Sequence, residues 1–259
     1  MSLNMFRCVL FTALTATFTA SSSLGQGFPH RLETRLVPQF GTIRHTGTDE
    51  RSLEFNRNMM PVIQQIAESL LTSGVEFGDR HQYRLDQDKL FTTSLTPYPV
   101  RVYFISEGAG HWNSVGLSLN LAGSTSSGDL RLIFPNASMP VSGNNFRTQK
   151  FGARTASAPL LPGDFVDIGT LHAGVQLDFF IIADGARGGL KWVFTNHDAL
   201  NPDKTQHVIS YAIPKSPYIL IGFEDLWMGG DKDYEDVLIV VDLGRENVDI
   251  LIDASGLPH

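Results

Sequence analysis

Six carboxylates lie within one short stretch of this chain, from Glu224 to Asp236. The stretch contains a single basic residue, Lys232, so its net charge is −5 over 13 residues. Confining that much like charge in one loop is unfavourable by several kcal/mol unless a cation neutralises it. We therefore predict a metal site whose ligands are Glu224, Asp225, Asp231, Asp233, Glu235 and Asp236.

Calcium is the cation that this set of donors favours. It binds roughly six to eight oxygens from carboxylates, carbonyls and water, and it tolerates irregular geometry. The stretch has no His or Cys, the residues that zinc prefers. Gly229 and Gly230 allow the backbone to bend so that Asp231 and Asp233 converge. The loop is not an EF-hand, because Asp236 stands where that motif requires Gly. The alternative is a solvated acidic turn that holds no ion.

A second polar group follows a predicted strand at residues 100–106. Glu107 precedes Gly108 and Gly110, and it could supply a further metal oxygen from a distant part of the chain. The alternative is that Glu107 only hydrogen-bonds its own loop. The two glycines resemble the start of a dinucleotide-binding motif, but Asn113 replaces the next glycine and a strand pattern follows. Nucleotide binding is therefore excluded.

The tryptophans are candidates for stacking on sugars. We predict Trp112 and Trp227 as ligand-binding residues, because Trp227 lies within the acidic stretch and Trp112 within the second polar group. The alternative is that each tryptophan only packs in the core or in a loop. No zinc-protease or nucleophilic-serine motif occurs, so no catalytic residue is predicted.

The elements that must position these residues are strands. Ten short apolar segments recur with Gly, Pro, Asn or Asp between them, and no helical pattern separates them. This pattern predicts an all-β fold, an antiparallel β-sandwich of jelly-roll type. The predicted strands are residues 100–106, 115–121, 130–134, 165–171, 175–183, 191–195, 207–213, 218–223, 237–243 and 248–252.

The N-terminal part of the chain is organised differently. Residues 1–25 have a basic start, an apolar run and small residues, which is the pattern of a secretory signal peptide. Residues 26–96 are predicted as an extended leader and one packing helix at 58–73, where apolar residues recur every three or four positions. Residues 97–253 are predicted as the calcium-binding β-sandwich domain. The expected location is secreted or periplasmic.

Composition excludes several classes of partner. The 259 residues contain 20 basic and 27 acidic side chains, and no basic run offers a nucleic-acid surface. The predicted signal peptide contains Arg7 and no acid, so its removal changes the net charge from −7 to −8. It also removes Cys8, the single cysteine, so no disulfide is expected. We expect no membrane anchor, because the C-terminal residues are not an apolar tail.

Several motifs, read in order, resemble a bacterial family called domain of unknown function 4114. The resemblance spans residues 97–242, and it implies a β-rich fold and an exported protein. The family's recurring Glu and Asp hint at enzymatic activity. Asn is common in the family where this chain has Glu235, and an aromatic residue where it has His111. The motifs are Ser106-Glu-Gly-Ala-Gly110, Asn113-Ser-Val-Gly116, Ile133-Phe-Pro-Asn-Ala-Ser138, Pro162-Gly-Asp164 with Gly169, Asn201-Pro202, Phe223-Glu-Asp-Leu226 and Asp231-Lys-Asp-Tyr-Glu-Asp236.

Two classes of function fit these observations. The first is a calcium-binding module for binding, adhesion or structure, whose partner is an extracellular glycan or protein. The second is a carboxylate- or metal-dependent hydrolase that acts on extracellular glycans. Enzymes that use two carboxylates hold them in different environments so that one stays protonated. The acids of this chain are clustered, which favours a cation over proton chemistry.

Overall fold

Two five-stranded antiparallel sheets form the protein. The computed structural model describes residues 27–71, 83–124, 127–142 and 150–257, so the predicted signal peptide lies outside the described residues. The strands are β1 (Arg31–Leu32), β2 (Tyr98–Ser106), β3 (Ser114–Leu121), β4 (Asp129–Phe134), β5 (Val141–Ser142), β6 (Lys150–Phe151), β7 (Phe165–Leu171), β8 (Val175–Ile182), β9 (Lys191–Thr195), β10 (Val208–Ala212), β11 (Tyr218–Phe223) and β12 (Val237–Asp242).

The sheet order confirms the predicted sandwich. The first sheet has the order β1-β9-β8-β3-β4, and the second has the order β10-β11-β12-β2-β7. Strands β5 and β6 form a separate small hairpin. The main core lies between the sheets, where Phe104 of the second sheet meets Phe134 of the first edge to face, with ring centroids 5.9 Å apart. Nine of the ten predicted strands form within two residues of their predicted ends.

The tenth predicted strand, at 248–252, is wrong. These residues lie within a C-terminal helix, α3 (Arg245–Ala254), which follows β12. Val248, Leu251 and Ile252 are spaced by three and four residues and are buried in the main core. The same short apolar run fits a strand or a buried helix, and burial of one face against the sandwich selects the helix. The structure therefore has a helix at each end of the domain rather than one N-terminal helix alone.

The N-terminal helix begins earlier than predicted and covers the outer face of the second sheet. It consists of α1 (Glu50–Glu54), a π-helical segment (Phe55–Met59) and α2 (Met60–Leu71). Asp49 caps it by accepting the N–H of Ser52 at 2.8 Å. Phe55 stacks on Tyr103 of β2, with ring centroids 3.7 Å apart. The second sheet is thus buried on both faces. No helix among the described residues is long and apolar enough to cross a membrane.

The segment before α1 covers part of the first sheet. Strand β1 pairs with β9 at the edge of that sheet, where Arg31 lies opposite Trp192. Phe28 packs on Phe180 of β8, with ring centroids 5.6 Å apart. The segment predicted as an extended leader therefore contributes an edge strand and an apolar cover to the sandwich.

Candidate metal site

The acidic loop, residues 224–236, connects β11 to β12. These strands pair in the second sheet, with Gly222 opposite Leu238, and every residue of both strands is buried. A parallel bridge between Phe223 and Glu235 closes the base of the loop. The acids thus lie between the two predicted strands at 218–223 and 237–243, and both strands form. The loop therefore has fixed ends and holds its six carboxylates in a small volume.

Unusual backbone turns fold the acidic loop back on its first residue. Met228, Lys232 and Tyr234 all have positive φ, near 60°. Gly230 also has positive φ, 42°, and a Cβ at this position would overlap the Glu224 carboxylate. Glycine is required there because an L side chain meets both a disfavoured backbone angle and a steric clash. The turn thereby brings the loop's second half close to Glu224.

Two groups of three carboxylates meet at Glu224. In the first group, Glu224, Asp231 and Asp233 each offer an oxygen, and these atoms lie within 4.8 Å of one another. The second group comprises Glu224, Asp225 and Asp236, whose oxygens also lie within 4.8 Å of one another. The shared Glu224 is 1% exposed, and its Oε2 has no hydrogen-bond partner among the described residues. Such a buried, unpaired acceptor is unfavourable unless another group binds it.

Burial and mutual repulsion raise the pKa values of these acids. Burial raises the pKa of Glu224 to about 7, and the charge of Asp231 adds to this effect. Burial also raises the pKa of Asp236 to about 9, together with the charges of Asp225 and Glu224. The pKa of Glu235 rises to about 7 because of burial and the charge of Asp233. Ionising all these acids together therefore requires a compensating positive charge.

Asp225 is already engaged by the second polar group. Its Oδ1 lies 3.1 Å from Nδ1 of His111, and its Oδ2 accepts Nδ2–H of Asn113 at 2.6 Å. Asp231 is exposed and Asp233 is half-buried, so both have room for an ion and its water ligands. The group of Glu224, Asp231 and Asp233 is therefore the better cation site of the two.

Glu107 lies beside the acidic loop but outside both carboxylate groups. Strands β2 and β12 are neighbours, with Ser106 opposite Leu238, so the residue after β2 reaches the end of the loop. The N–H of Gly108 donates to the Glu235 carbonyl at 3.1 Å. Burial raises the pKa of Glu107 to about 7, with a further contribution from the charge of Asp225. The two polar groups thus adjoin.

The predicted ligand-binding tryptophans occupy different surroundings. Trp227 is 47% exposed and packs against Trp192, with ring centroids 4.8 Å apart. Trp112 is 38% exposed, and the guanidinium of Arg187 lies 4.9 Å from its ring centroid. Only Trp227 is part of the acidic loop, so only Trp227 is placed to contact a ligand beside the candidate cation site.

Sequence reasoning missed the residues that support the loop from behind. His207 is fully buried: its Nδ1 donates to the Glu224 carbonyl and its Nε2 lies 2.9 Å from Oδ2 of Asp203. Asp203 also accepts the N–H of Met228 at 2.8 Å. No local pattern marks His207, because the pairing of β10 with β11 brings it to Glu224. His111 likewise approaches only in space, and the carboxylate groups of the described residues contain no His.

Residues 171–244 match the model of the family described as Domain of unknown function (DUF4114). This segment is similar to DUF4114 domains. The match contains the whole acidic loop together with β8–β12, so the predicted resemblance is confirmed over these residues. The resemblance over residues 97–170, which include Glu107, stays a prediction. No curated protein and no solved structure matches this chain.

Proposed function

We propose that this protein is a secreted calcium-binding β-sandwich module that acts in binding or adhesion. The observation that carries the proposal is the environment of Glu224. Its Oε2 is buried without a hydrogen-bond partner among the described residues, at the point where two carboxylate groups meet. A cation bound to Glu224, Asp231 and Asp233 supplies that missing partner and offsets the repulsion among the acids.

The donor chemistry favours calcium over other divalent ions. The ligands are carboxylate oxygens on an irregular loop, and calcium accepts variable coordination. Magnesium requires nearly ideal octahedral geometry, and zinc prefers nitrogen and sulfur ligands. Extracellular calcium modules bind with a Kd of about 0.1 to 1 mM, so a partly exposed site such as this one suits that compartment.

Calcium at this site would stabilise more than the loop. Glu224 follows β11, and its carbonyl accepts a hydrogen bond from His207, which precedes β10. Asp203 links His207 to the backbone of Met228 in the loop. An ion that orders the loop therefore also stabilises the edge of the second sheet. Binding to the folded state alone raises stability by mass action.

Export is the second element of the proposal. It is supported by the basic, apolar and small-residue order of residues 1–25. We expect the mature chain to begin near Gln26 and to leave the cytoplasm. Sequencing the N-terminus of protein produced in cells tests this expectation, and a mature protein that retains Met1 would contradict it.

Titration calorimetry tests the calcium site. The wild-type chain should bind calcium near neutral pH, whereas the double variant Asp231→Asn, Asp233→Asn should show no measurable binding. Asp129→Asn is the matched control, because Asp129 is exposed and pairs with Arg131 outside the loop. Absence of calcium binding by the wild-type chain, or equal binding by the double variant, would show that the acids form only a repulsive turn.

A glycan hydrolase is the second candidate, and one observation favours it. Glu107 has a pKa raised to about 7, and it lies near Asp225, whose oxygens face His111 and Asn113. Two carboxylates in such different environments can serve as acid and base. Release of reducing ends from oligosaccharides, abolished by Glu107→Gln while calcium binding persists, would favour the enzyme over the binding module.

A further inference from the structure

A cleft of about 320 Å³ adjoins the acidic loop. It lies between the start of the loop, strand β9 and the turn that follows β8. Trp227 and Trp192 form its aromatic wall, with ring planes inclined by 56°. Phe194 supports Trp227 edge to face, at a centroid distance of 6.3 Å. Strand order explains the arrangement, because β9 lies next to β8 and presents Trp192 toward the loop.

The aromatic wall remains accessible although it is well supported. Trp227 is 47% exposed, and its neighbour Leu226 is also 47% exposed. Leu190, which also lines the cleft, is 58% exposed. Large apolar side chains grouped around a concave surface usually mark a place where a ligand or partner binds. The cleft is therefore a candidate ligand site by shape and by surface chemistry.

Charged groups line the cleft in balanced numbers. Arg31 and Lys191 are basic, whereas Asp184 and Asp225 are acidic. Lys191 Nζ is 2.8 Å from Oδ2 of Asp184, and the Arg31 guanidinium lies 3.8 Å from the Trp192 ring centroid. These contacts fix donors and acceptors in place without giving the cleft a dominant sign of charge. An anionic or cationic ligand gains little here, whereas a neutral polar ligand finds both donors and acceptors.

We propose that this cleft binds a neutral sugar, with the apolar face of one ring against Trp227 and its hydroxyls bonded to Asp184 and Lys191. A sugar ring combines an apolar face of C–H bonds with a rim of hydroxyls, which matches an aromatic wall beside fixed polar groups. Asp225 belongs both to the cleft and to a carboxylate group at Glu224. Glu224 of that group also belongs to the proposed calcium site, so calcium should strengthen sugar binding by ordering the start of the loop, and only this dependence rests on the proposed function.

An array of immobilised neutral and anionic oligosaccharides, probed with the full chain in calcium and in EGTA, tests the inference. The wild-type chain should bind neutral glycans. Trp227→Ala should weaken that binding by more than about tenfold, and Trp227→Phe by less, because the smaller ring retains part of the stacking. Phe151→Ala is the matched control: Phe151 is an exposed aromatic residue outside the cleft, and its loss should leave binding unchanged. Trp112→Ala tests the second predicted tryptophan.

The outcomes separate this inference from the calcium proposal. Absence of binding to any neutral glycan, or binding that depends on Trp112 and not on Trp227, would overturn the sugar site. A dimer that dissociates in Trp227→Ala, without glycan binding, would also overturn it and assign the cleft to a second copy of the chain. Neutral-glycan binding that requires Trp227 and is identical in EGTA supports the sugar site while contradicting its coupling to calcium. Thermal melts confirm that each variant is folded. If Trp227→Ala does not fold, Trp227→Phe still tests the sugar site.

Discussion

Two regions of the molecule differ in the charges that surround their carboxylates. Where α1 meets β2 and β7, arginines neutralise the acids. Arg101 forms a two-pronged contact with Asp49, at 3.0 and 2.9 Å, and its Nε donates to Asp167 at 2.7 Å. Arg51 donates to Asp242 at 3.0 Å. In the acidic loop, by contrast, the charges that act on each carboxylate are chiefly those of other carboxylates.

The difference appears in the pKa values. The hydrogen bond from Arg101 holds the pKa of Asp49 well below its usual range, although burial opposes the shift. In the acidic loop, burial and neighbouring acids raise the pKa of Glu224 to about 7. The region where α1 meets β2 and β7 thus contains its own cations, Arg51 and Arg101, which belong to separate elements of the fold. Under the proposed function, the acidic loop instead takes a cation from solution, which would make it the calcium-responsive region.

The largest predicted effect comes from removing the internal cation of the first region. Arg101→Met leaves Asp49 and Asp167 without their main partner, so we expect a loss of about 3–5 kcal/mol in the free energy of unfolding. Urea denaturation should show the same loss in calcium and in EGTA. Arg35→Met is the control, because the exposed Arg35–Glu33 pair should contribute less than about 1 kcal/mol. A loss of stability that is seen in calcium but not in EGTA would mean that the two regions are coupled.

His197 is intermediate between these two regions, because its positive charge depends on pH. His197 lies 2.7 Å from Asp178 and 3.5 Å from Asp88. Burial opposes its charge, but the hydrogen bonds to Asp178 and Asp88 prevail and raise its pKa to about 9. Because the folded pKa exceeds the unfolded value, this stabilisation is complete below about pH 6.5 and is lost as the pH rises through 9.

The variant His197→Gln tests this pH dependence. It should reduce the free energy of unfolding by about 2 kcal/mol at pH 6 and by much less at pH 9.5. Chemical denaturation across that range measures the difference between wild type and variant. His172→Gln is the control, because His172 is exposed and the substitution should change stability little at either pH. An equal loss at both pH values would mean that His197 acts through packing alone.

Gly230→Ala should affect the acidic loop through steric overlap and backbone strain rather than through charge. The new Cβ would meet the Glu224 carboxylate at a backbone φ that disfavours L residues. We expect a loss of about 1–2 kcal/mol in stability and a weaker calcium affinity by calorimetry. Gly110→Ala is the control within the neighbouring group, because nothing lies within 4 Å of its Cβ position. Unchanged calcium affinity in Gly230→Ala would remove Glu224 from the site.

Giving the acidic loop its own cation should make it behave like the first region. Asp231 is exposed, so Asp231→Lys can place an ammonium near Glu224 without burying it. We expect the calcium-free protein to gain about 1 kcal/mol and the calcium-dependent increase in melting temperature to disappear. Thermal melts with calcium and with EGTA report both quantities. Asp129→Lys, outside the loop, should change neither. A retained calcium response in Asp231→Lys would contradict the comparison.

The smallest effect is expected at Glu107, which lies beside the site. Glu107→Gln should weaken calcium affinity only a few-fold, and should leave the calcium-free protein equally stable or slightly more stable because it relieves repulsion with Asp225. Calorimetry and paired melts test both parts. Equal destabilisation with and without calcium, at unchanged calcium affinity, would mean that Glu107 only stabilises the turn at Met139. Glu107 accepts the N–H of Met139 at 3.4 Å.

The fold class and the acidic loop could be predicted from the sequence because both depend on local signals. Short apolar segments between turn residues identify strands, and six acids in one stretch identify a concentrated charge. Residues 248–252 mark the limit of this reasoning. Their apolar run suits a strand as well as a helix, and only the core against which Val248 and Leu251 pack decided for the helix.

The sequence by itself determined which residues carry the negative charge, because composition and spacing are properties of the chain. Only the tertiary structure decided which acids meet an arginine and which lie chiefly among other acids. The packing of α1 on the second sheet brings Asp49 to Arg101, and the pairing of β10 with β11 brings His207 to Glu224. Electrostatic and hydrogen-bonding energies depend on distance in space and on burial, and neither quantity follows from separation along the chain.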